Sequence, residues 1–336
     1  MTTTLPLLPT TVVGSYSMPD WLERLKTDYF LRRISRHELD EIQDAAVKAA
    51  IKDQEIAGID IVTDGELRRD NLIDYFAERL PGVQLDRTSK KFYYDFYDSV
   101  VRGKLPTASL GLTDDFRFLR QYTERMTKFC VTGPLSLVKR IRNEHYPNEE
   151  AFALDIARVM NLELKELANA GATFLQIDEP YYSGFPEDLP WAVKALNIMV
   201  DGVNAKVALH ICWGNRYGKP TWEGNYRYLF PAILEAKVAQ LVLEFARRGE
   251  EDLHLFSEYA PPFELGLGII DVKAHAVETP DMVAERIRKA LEIVPAERLH
   301  VNPDCGCLHL PRDVAFAKLR AMVEGTRIVR RELGLC

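Results

Sequence analysis

The sequence lacks the features that mark membrane, secreted and nucleic-acid-binding proteins. No stretch of its 336 residues approaches the roughly 18 to 20 consecutive apolar residues that a membrane span needs. Residues 1–11 lack the basic and apolar regions of a signal peptide, and lysine and arginine form no block in a chain of net charge −7. We therefore expect a cytoplasmic protein that binds neither membranes nor nucleic acid.

Cysteine is scarce, and no linker or repeat divides the chain. Five cysteines, an odd number, argue against a disulfide framework and leave thiols available to a metal. The sequence shows no low-complexity tract and no repeat with a period of about 20 to 50 residues. With 47% hydrophobic and 28% charged residues the chain can bury a sizeable core, and we expect residues 1–336 to form a single catalytic domain.

Short apolar runs alternate with amphipathic stretches along the chain, which is typical of repeated βα units. The eight runs predicted as strands are residues 11–13, 59–63, 128–132, 173–177, 206–210, 240–243, 265–270 and 299–301. The helical patterns cover residues 38–57, 71–80, 148–170, 189–200, 228–237, 251–259, 280–293 and 312–332. Thr279-Pro280 is a helix start signal, and Gly58 and Gly171 are stop signals.

Eight parallel strands with helical crossovers predict an α/β fold, a single (β/α)8 TIM barrel, in preference to an open doubly wound sheet. Residues 87–115 interrupt the rhythm with the aromatic run 92–97 and a return that contains glycine. We interpret this segment as a β-hairpin insertion after the second βα unit, where it would serve as a lid or as a dimer contact.

Polar residues follow the predicted strands, and in a barrel of this type the active site lies where the strands end. The residues with reactive side chains at these positions are Ser15, Glu66, Asp178, His210, Cys212, Glu244, Asp271 and Cys305. We therefore expect carboxylates, an imidazole and two thiols to converge on one face of the barrel.

Four of these residues have side chains suited to zinc: His210, Cys212, Glu244 and Cys305. Side chains alternate along a strand with a period of two, so a His-x-Cys pair at a strand end places both groups on the same side. Taken alone, that pair more often indicates a buried cysteine beside a loop histidine. Glu244 and Cys305 at neighbouring strand ends favour the metal, with Cys307 as a competing fourth ligand.

This ligand set has a distinctive chemistry. A zinc ion with two thiolates and a carboxylate is a poor Lewis acid for water, but it leaves a bound substrate thiolate nucleophilic at neutral pH. The residues therefore predict a zinc cofactor and favour alkylation of a thiol over hydrolysis.

Taken together, the motifs at the strand ends resemble those of the cobalamin-independent methionine synthase superfamily. They are Val13-Gly14-Ser15, Asp64-Gly65-Glu66 with Arg69 and Asn71, Thr132-Gly133-Pro134, Gln176-Ile177-Asp178-Glu179-Pro180, His210-x-Cys212, Glu244 and Val301-Asn302-Pro303-Asp304-Cys305-Gly306. The chain resembles the catalytic C-terminal domain of the long members and the short single-barrel core members. The resemblance implies methyl transfer to homocysteine, giving methionine, with the four residues named above as zinc ligands.

The resemblance also implies that Ser15, Glu66 and Asp178 hold the amino-acid end of homocysteine. Carboxylates suit the substrate ammonium, and a serine hydroxyl suits the substrate carboxylate. An ion pair with Arg68, Arg69 or another base at the barrel rim is the alternative for both acidic residues.

The sequence departs from the family pattern after the seventh strand. Long members have a catalytic histidine after Asp-Ile, whereas this chain has Asp271-Val272-Lys273-Ala274-His275. Asp271, Lys273 and His275 are the candidate catalytic residues, with an exposed rim lysine and a loop histidine as the alternative. The methyl donor stays open between methylcobalamin or a corrinoid protein and methyltetrahydrofolate. Four aromatic residues could stack on that donor or cap the barrel mouth: Tyr181, Tyr182, Trp213 and Trp222.

Three other functions make different demands on these residues. Alkylation of another small thiol, such as coenzyme M, would keep the metal but gain nothing from two carboxylates, because a sulfonate thiol has no ammonium. A metal-free decarboxylase on the related uroporphyrinogen decarboxylase barrel would leave His210, Cys212 and Cys305 without a role. A binding module stapled by zinc predicts four protein ligands that no thiol displaces.

Overall fold

The computed structural model describes residues 5–92 and 95–334, so Tyr93 and Tyr94 of the aromatic run lie outside the described residues. Its strands are β1 (Ile61–Val62), β2 (Val83–Asp86), β3 (Asp98–Val101), β4 (Met126–Thr127), β5 (Phe129–Thr132), β6 (Arg142–Asn143), β7 (Phe174–Asp178), β8 (Lys206–Ile211), β9 (Gln240–Glu244), β10 (Glu264–Gly268) and β11 (Leu299–Asn302). Its α-helices are α1 (Asp20–Phe30), α2 (Arg36–Ala57), α3 (Asp74–Ala77), α4 (Thr113–Gln121), α5 (Pro134–Val138), α6 (Glu149–Asn169), α7 (Leu189–Val200), α8 (His254–Tyr259), α9 (Pro280–Leu291) and α10 (Arg312–Glu332).

The strands form the predicted barrel. Six of them make one parallel sheet in the order β11-β10-β9-β8-β7-β5. Thr10 bridges to Val301 of β11, and Thr11 bridges to β1, both in parallel. Strand β1 pairs with β4, and the Lys128 N–H between β4 and β5 donates to the Val62 carbonyl at 2.9 Å. These contacts link all eight predicted strand positions in a ring and confirm the (β/α)8 fold.

Alternation along the strands decides which side chains enter the barrel. Val13, Ile61, Phe174, Ala208 and Val242 form a separate buried cluster inside it. Leu209 and Ile211 of β8 belong instead to the large cluster that the helices cover. Because successive side chains on a strand point to opposite faces, His210 shares the inward face of Ala208.

The predicted helix signals are confirmed. Thr279 caps α9 by accepting the Met282 N–H at 3.2 Å, and Pro280 occupies the first turn, where a missing N–H has no cost. Gly58 ends α2 at φ 95°, and Gly171 follows α6 at φ 102°. Both are left-handed conformations that favour glycine. No helix among the described residues is long and apolar enough to cross a membrane.

Some helix predictions were wrong or incomplete. Residues 228–237 form no α-helix but two 3-10 turns, Tyr226–Leu229 and Ala232–Glu235. Pro231 lies between them and has no N–H to donate to a continuous helix. The pattern at 71–80 yields only α3, and 251–259 begins as a 3-10 turn before α8. The sequence patterns did not predict α1, α4 or α5. Helix α5 has only five residues.

The segment that interrupts the βα rhythm contains the predicted hairpin. Its strands span residues 83–101, whereas the predicted segment spans residues 87–115. Strand β2 pairs with β3 antiparallel, and β6 adds a third strand parallel to β3. Lys90, whose side chain is fully buried, anchors the insertion by pairing with Asp70 and Asp74 at 3.1 Å each. The insertion is thereby attached to the loop after β1, close to the strand ends of the barrel.

Candidate active site

Three predicted metal ligands meet at the ends of β8 and β11. The ligand atoms of His210, Cys212 and Cys305 all lie within 4.8 Å of one another, and all three residues are buried. We call them the thiol-imidazole cluster. His210 Nδ1 lies 3.1 Å from the Val242 carbonyl oxygen, which assigns the ring proton to Nδ1. Nε2 is buried without a hydrogen-bond partner among the described residues, and such a nitrogen beside two sulfurs fits zinc.

The two thiols of the cluster differ in acidity. A hydrogen bond from Cys212 holds the pKa of the Cys305 thiol well below its usual range, with His210 and Lys273 acting in the same direction. The same hydrogen bond, together with burial, raises the pKa of Cys212 well above its usual range. A metal ion binds the thiolate form of cysteine, so an ion held by these two sulfurs would displace the proton of Cys212.

Cys307, the competing ligand, belongs to a different environment. It is not a member of the thiol-imidazole cluster within the described ranges. Its backbone N–H donates to the Ser15 carbonyl at 2.9 Å, and burial raises the pKa of its thiol to about 12. Among the two cysteines after β11, the geometry favours Cys305.

Glu244 lies at the end of β9 beside the cluster, but its carboxylate has other partners. Its two oxygens accept hydrogen bonds from Lys273 Nζ at 2.8 and 2.9 Å. Oε1 also accepts the Trp213 N–H at 3.1 Å. Only 3% of the Lys273 side chain and none of the Glu244 side chain is exposed. This buried ion pair joins a predicted ligand to a predicted catalytic residue.

A second group of ionisable side chains combines Glu66 from the loop after β1, Cys130 within β5 and Asp178 at the end of β7. Carboxylate and thiol atoms of Glu66, Asp178 and Cys130 lie within 4.8 Å of one another. Glu66 pairs with Arg69 at 3.1 Å, the ion pair predicted as an alternative role for this residue. Gln176 Nε2 donates to Asp178 at 2.7 Å. Burial raises the pKa of Glu66 to about 7. The charge of Arg69 lowers this pKa, and the charge of Asp178 raises it.

One cavity of about 230 Å³ brings the two groups together. We call it the central cavity, and its lining includes Ser15, Glu66, Asp178, His210, Cys212 and Cys305. Two glycines make room for its polar side chains. A Cβ on Gly14 would lie 2.4 Å from Glu66 Oε1, and one on Gly306 would lie 1.9 Å from Ser15 Oγ. Any larger residue at either position would displace these groups.

The predicted catalytic residues do not line the central cavity. Asp271 accepts the Lys273 N–H at 2.8 Å and so holds the loop that carries Lys273. His275 is exposed and lines a separate surface cavity. The two cavities share Leu308 and His309 in their linings, so they adjoin.

The aromatic residues near the strand ends divide into two pairs. Tyr181 and Trp222 line the central cavity, in an edge-to-face contact with ring centroids 5.1 Å apart. Tyr182 and Trp213 are buried in the core instead, with 0% and 1% exposure. Phe96, from the insertion, also lines the central cavity. Of these aromatic side chains within residues 5–92 and 95–334, the first pair and Phe96 are therefore the ones placed to contact a bound molecule.

Two buried carboxylates were part of the motifs, but their roles emerge only in the structure. Asp304 accepts the N–H groups of Phe245 and Ala246 at 3.0 and 2.9 Å and that of Arg247 at 3.1 Å. It thereby ties the loop after β9 to the end of β11. The signal in the sequence was an acid inside the Asn-Pro-Asp-Cys motif, which by itself does not specify the partner.

Glu179 has a comparable role at the start of α5. Its carboxylate accepts the N–H groups of Leu135 and Ser136 at 2.9 Å each, which satisfies buried amides that have no partner within the helix. A Cβ on Gly133 would lie 2.2 Å from Glu179 Oε1. The Gly-Pro pair before α5 therefore accommodates this carboxylate.

Fold and site together define a (β/α)8 protein with a buried thiol-imidazole cluster and an acidic cavity wall at the carboxyl ends of its strands. The family model described as the catalytic domain of cobalamin-independent synthase matches residues 8–327. The chain belongs to the cobalamin-independent methionine synthase family.

Similar proteins cover almost the whole chain. A methionine synthase of Sulfurisphaera tokodaii is 39% identical over 333 residues, which are 98% of this chain and 94% of that protein. A methionine synthase of Saccharolobus solfataricus is also 39% identical, over 98% and 97% of the two chains. The structure of a B12-independent methionine synthase from Shewanella sp. W3-18-1 in complex with selenomethionine matches with a TM-score of 0.85 and 30% identity, over 98% of this chain and 100% of that one.

Proposed function

We propose that this protein is a cytoplasmic, single-domain, zinc-dependent methyltransferase that converts homocysteine to methionine. The observation that carries the proposal is the central cavity, lined at once by a thiol-imidazole cluster suited to a sulfur-binding metal and by two carboxylates suited to an ammonium. A homocysteine molecule carries both complementary groups. The related methionine synthases, and the selenomethionine complex of the Shewanella protein, support the same assignment.

Glu66 and Asp178 bind the substrate ammonium in this proposal, and Ser15 binds its carboxylate. Two buried carboxylates within 4.8 Å of one another repel when both are ionised. An incoming ammonium offsets that repulsion, whereas a thiol without an ammonium does not. Homocysteine is therefore favoured over coenzyme M as the thiol substrate.

His210, Cys212 and Cys305 hold the metal, and Glu244 is the fourth candidate ligand. His210 presents Nε2, because Nδ1 is engaged with the Val242 carbonyl. Zinc bound by these residues would keep the substrate sulfur ionised at neutral pH and so make it nucleophilic toward a methyl donor. The cavity positions the sulfur, which supplies part of the rate acceleration by orientation.

The three candidate catalytic residues take different parts. Asp271 and Lys273 act through position, since Asp271 fixes the loop from which Lys273 reaches Glu244. His275 faces the adjoining surface cavity, where a methyl donor that extends beyond the central cavity would contact it. Methylcobalamin, a corrinoid protein and methyltetrahydrofolate all extend in this way.

A methyl-transfer assay on homocysteine tests the proposal and identifies the donor class. Zinc-loaded protein is offered methylcobalamin and methyltetrahydrofolate separately, and methionine formation from one of them is expected. The same protein stripped of zinc serves as the control and should be inactive until zinc is restored. Full activity without zinc, or equal activity on coenzyme M and homocysteine, would refute the proposal.

A further inference from the structure

We propose that Arg140 and Arg216 form an anion-binding site at the mouth of the central cavity and hold the negatively charged group of the methyl donor, a carboxylate or a phosphodiester. The inference rests on the proposed function and assigns both arginines as donor-binding residues. It starts from their shared position, because both residues are exposed and both line the cavity that contains the thiol-imidazole cluster.

Three separate segments of the chain meet at this mouth. Arg140 lies two residues after the end of α5, Arg216 lies in the loop after β8, and Phe96 comes from the insertion. The guanidinium carbon of Arg140 lies 4.0 Å from the centroid of the Phe96 ring, and that of Arg216 lies 5.8 Å from the same centroid. A contact with a ring neutralises no charge and leaves N–H donors of both guanidinium groups available to an oxyanion.

The two guanidinium groups have no counterion of their own. Neither forms an ion pair with a carboxylate among residues 5–92 and 95–334. Other arginines at the same end of the barrel do form such pairs, since Arg247 and Arg248 lie 2.9 and 2.6 Å from Glu223. Two neighbouring cations without a counterion repel each other, and an anionic ligand offsets that repulsion.

The charges of the cavity wall are divided between its interior and its mouth. Glu66 and Asp178 are half-buried, whereas the two arginines are exposed. Asp70, a third acidic residue of the lining, already pairs with Lys90 at 3.1 Å. The ammonium of homocysteine suits the acidic interior, so the basic mouth faces the molecule that delivers the methyl group. Methyltetrahydrofolate carries the carboxylates of its glutamate, and methylcobalamin carries a phosphodiester.

The loop that carries Arg216 is held by hydrogen bonds. The Arg216 N–H donates to the Lys219 carbonyl at 2.9 Å, and the Lys219 N–H donates to the Arg216 carbonyl at 3.1 Å. Asn215 Nδ2 donates to the carbonyl of Gly306, the residue after Cys305, at 3.0 Å. The arginine is thus attached to the segment of a predicted metal ligand. A loop fixed in this way loses little conformational freedom when it binds an anion.

Matched pairs of methyl donors test the inference in the methyl-transfer assay. Methyltetrahydrofolate is compared with its uncharged diamide, and methylcobalamin with methylcobinamide, which lacks the phosphodiester. In Arg140→Gln and Arg216→Gln the KM for the complete donor should rise about threefold to fivefold, and in the double variant about tenfold or more. The KM for the uncharged counterpart and for homocysteine should stay within about twofold. The donor pair that supports turnover identifies the source of the anion.

Lys219→Gln is the matched control, because it removes one positive charge from the same loop. Lys219 is exposed and, among the described residues, lies outside the lining of the central cavity. This variant should leave the KM for the donor unchanged. Raising the ionic strength from about 0.05 to about 0.5 M should increase the KM for the complete donor in the wild type and much less in the double arginine variant, since salt screens exposed charges.

The possible outcomes separate the inference from the proposed function. An equal rise in KM for the complete and the truncated donor would show that the arginines act through the structure of the mouth, and would overturn the inference. A rise in KM for homocysteine alone would assign them to the substrate carboxylate and overturn it as well. If the wild type makes methionine but the arginine variants keep the wild-type KM for the donor, only the inference is wrong. If zinc-loaded wild type makes no methionine from either complete donor, the proposed function itself is wrong.

Discussion

The ionisation of Glu66 predicts how the affinity of the protein for methionine, the product of the proposed reaction, changes with pH. Burial raises the pKa of this carboxyl from 4.5 to about 7, and the neighbouring Asp178 adds to the increase while Arg69 opposes it. Only the ionised form attracts an ammonium. We therefore expect methionine to bind tightly above pH 7 and progressively more weakly below it.

The expected size follows from the fraction of Glu66 that is ionised. With a pKa of about 7, roughly nine tenths of the carboxyl is ionised at pH 8 and roughly one tenth at pH 6. Methionine affinity should therefore fall about tenfold between these values, and Glu66→Gln should remove most of the dependence. Methionine suits the measurement because it has no thiol proton to lose, so the titration of the substrate sulfur does not contribute.

Isothermal titration of zinc-loaded protein with methionine at pH 6, 7 and 8 provides the assay. Glu179→Gln is the matched control, because burial also raises the pKa of Glu179 to about 7 although its carboxylate binds the start of α5. That variant should lose stability but keep the wild-type pH midpoint of binding. A flat profile in the wild type, or an unchanged profile in Glu66→Gln, would contradict the reasoning.

The same raised pKa has a consequence for stability without ligand. A carboxyl whose pKa is higher in the folded than in the unfolded chain stabilises the fold at low pH, and this contribution is lost as the pH rises through about 7. Relative to Glu66→Gln, the unliganded wild type should therefore become less stable between pH 5 and 8. Methionine should reverse that loss by supplying the missing cation.

Three further predictions concern the cluster, the barrel interior and the strand ends. Cys212→Ser should abolish zinc retention and turnover together, which metal analysis and the methyl-transfer assay check, and retained zinc with full activity would argue against the ligand assignment. Lys128 donates to Gln176 at 2.6 Å and so turns the amide of Gln176 toward Asp178. Lys128→Met should raise the KM for homocysteine about tenfold with little change in kcat, because a misplaced hydrogen bond to a charged group costs about 1.5 kcal/mol. An unchanged KM would exclude this role. Asp304→Ala leaves the Arg247 N–H without its acceptor, whereas the N–H groups of Phe245 and Ala246 keep the Gly268 carbonyl at 2.9 and 3.0 Å. The variant should therefore lower the free energy of unfolding by about 1 to 3 kcal/mol in chemical denaturation, and an unchanged value would show that water replaces the carboxylate.

Periodicity and the strand-end rule explain what could be predicted from the sequence. Eight regularly spaced apolar runs were enough for the barrel, although the first run contributes only the bridges of Thr10 and Thr11. The period of two placed His210 and Cys212 on one side of a strand end, and the rule that barrel sites lie at carboxyl ends brought Cys305 to them. These inferences need only local pattern and topology.

What the sequence could not predict depends on contacts between distant segments. Lys273 and Glu244 are 29 positions apart and pair only because the ends of β9 and β10 are neighbours in the barrel. The apolar residues between 228 and 237 have a spacing compatible with an α-helix. Pro231 has no N–H to donate to such a helix, and the segment forms 3-10 turns instead. Helix α5 is too short to show a helical period in the sequence. It is stabilised by Glu179, which directly follows β7 and is distant in the chain.

Asp304 has a consequence for the metal binding proposed for this protein. By accepting three successive amides after β9, it fixes the end of that strand against the segment that carries Cys305. The position of the neighbouring Cys305 is thus supported by the polypeptide itself, in contrast to the ligands of zinc fingers, which unfold when zinc is removed. We therefore expect a chelator to remove the proposed zinc ion without unfolding the barrel.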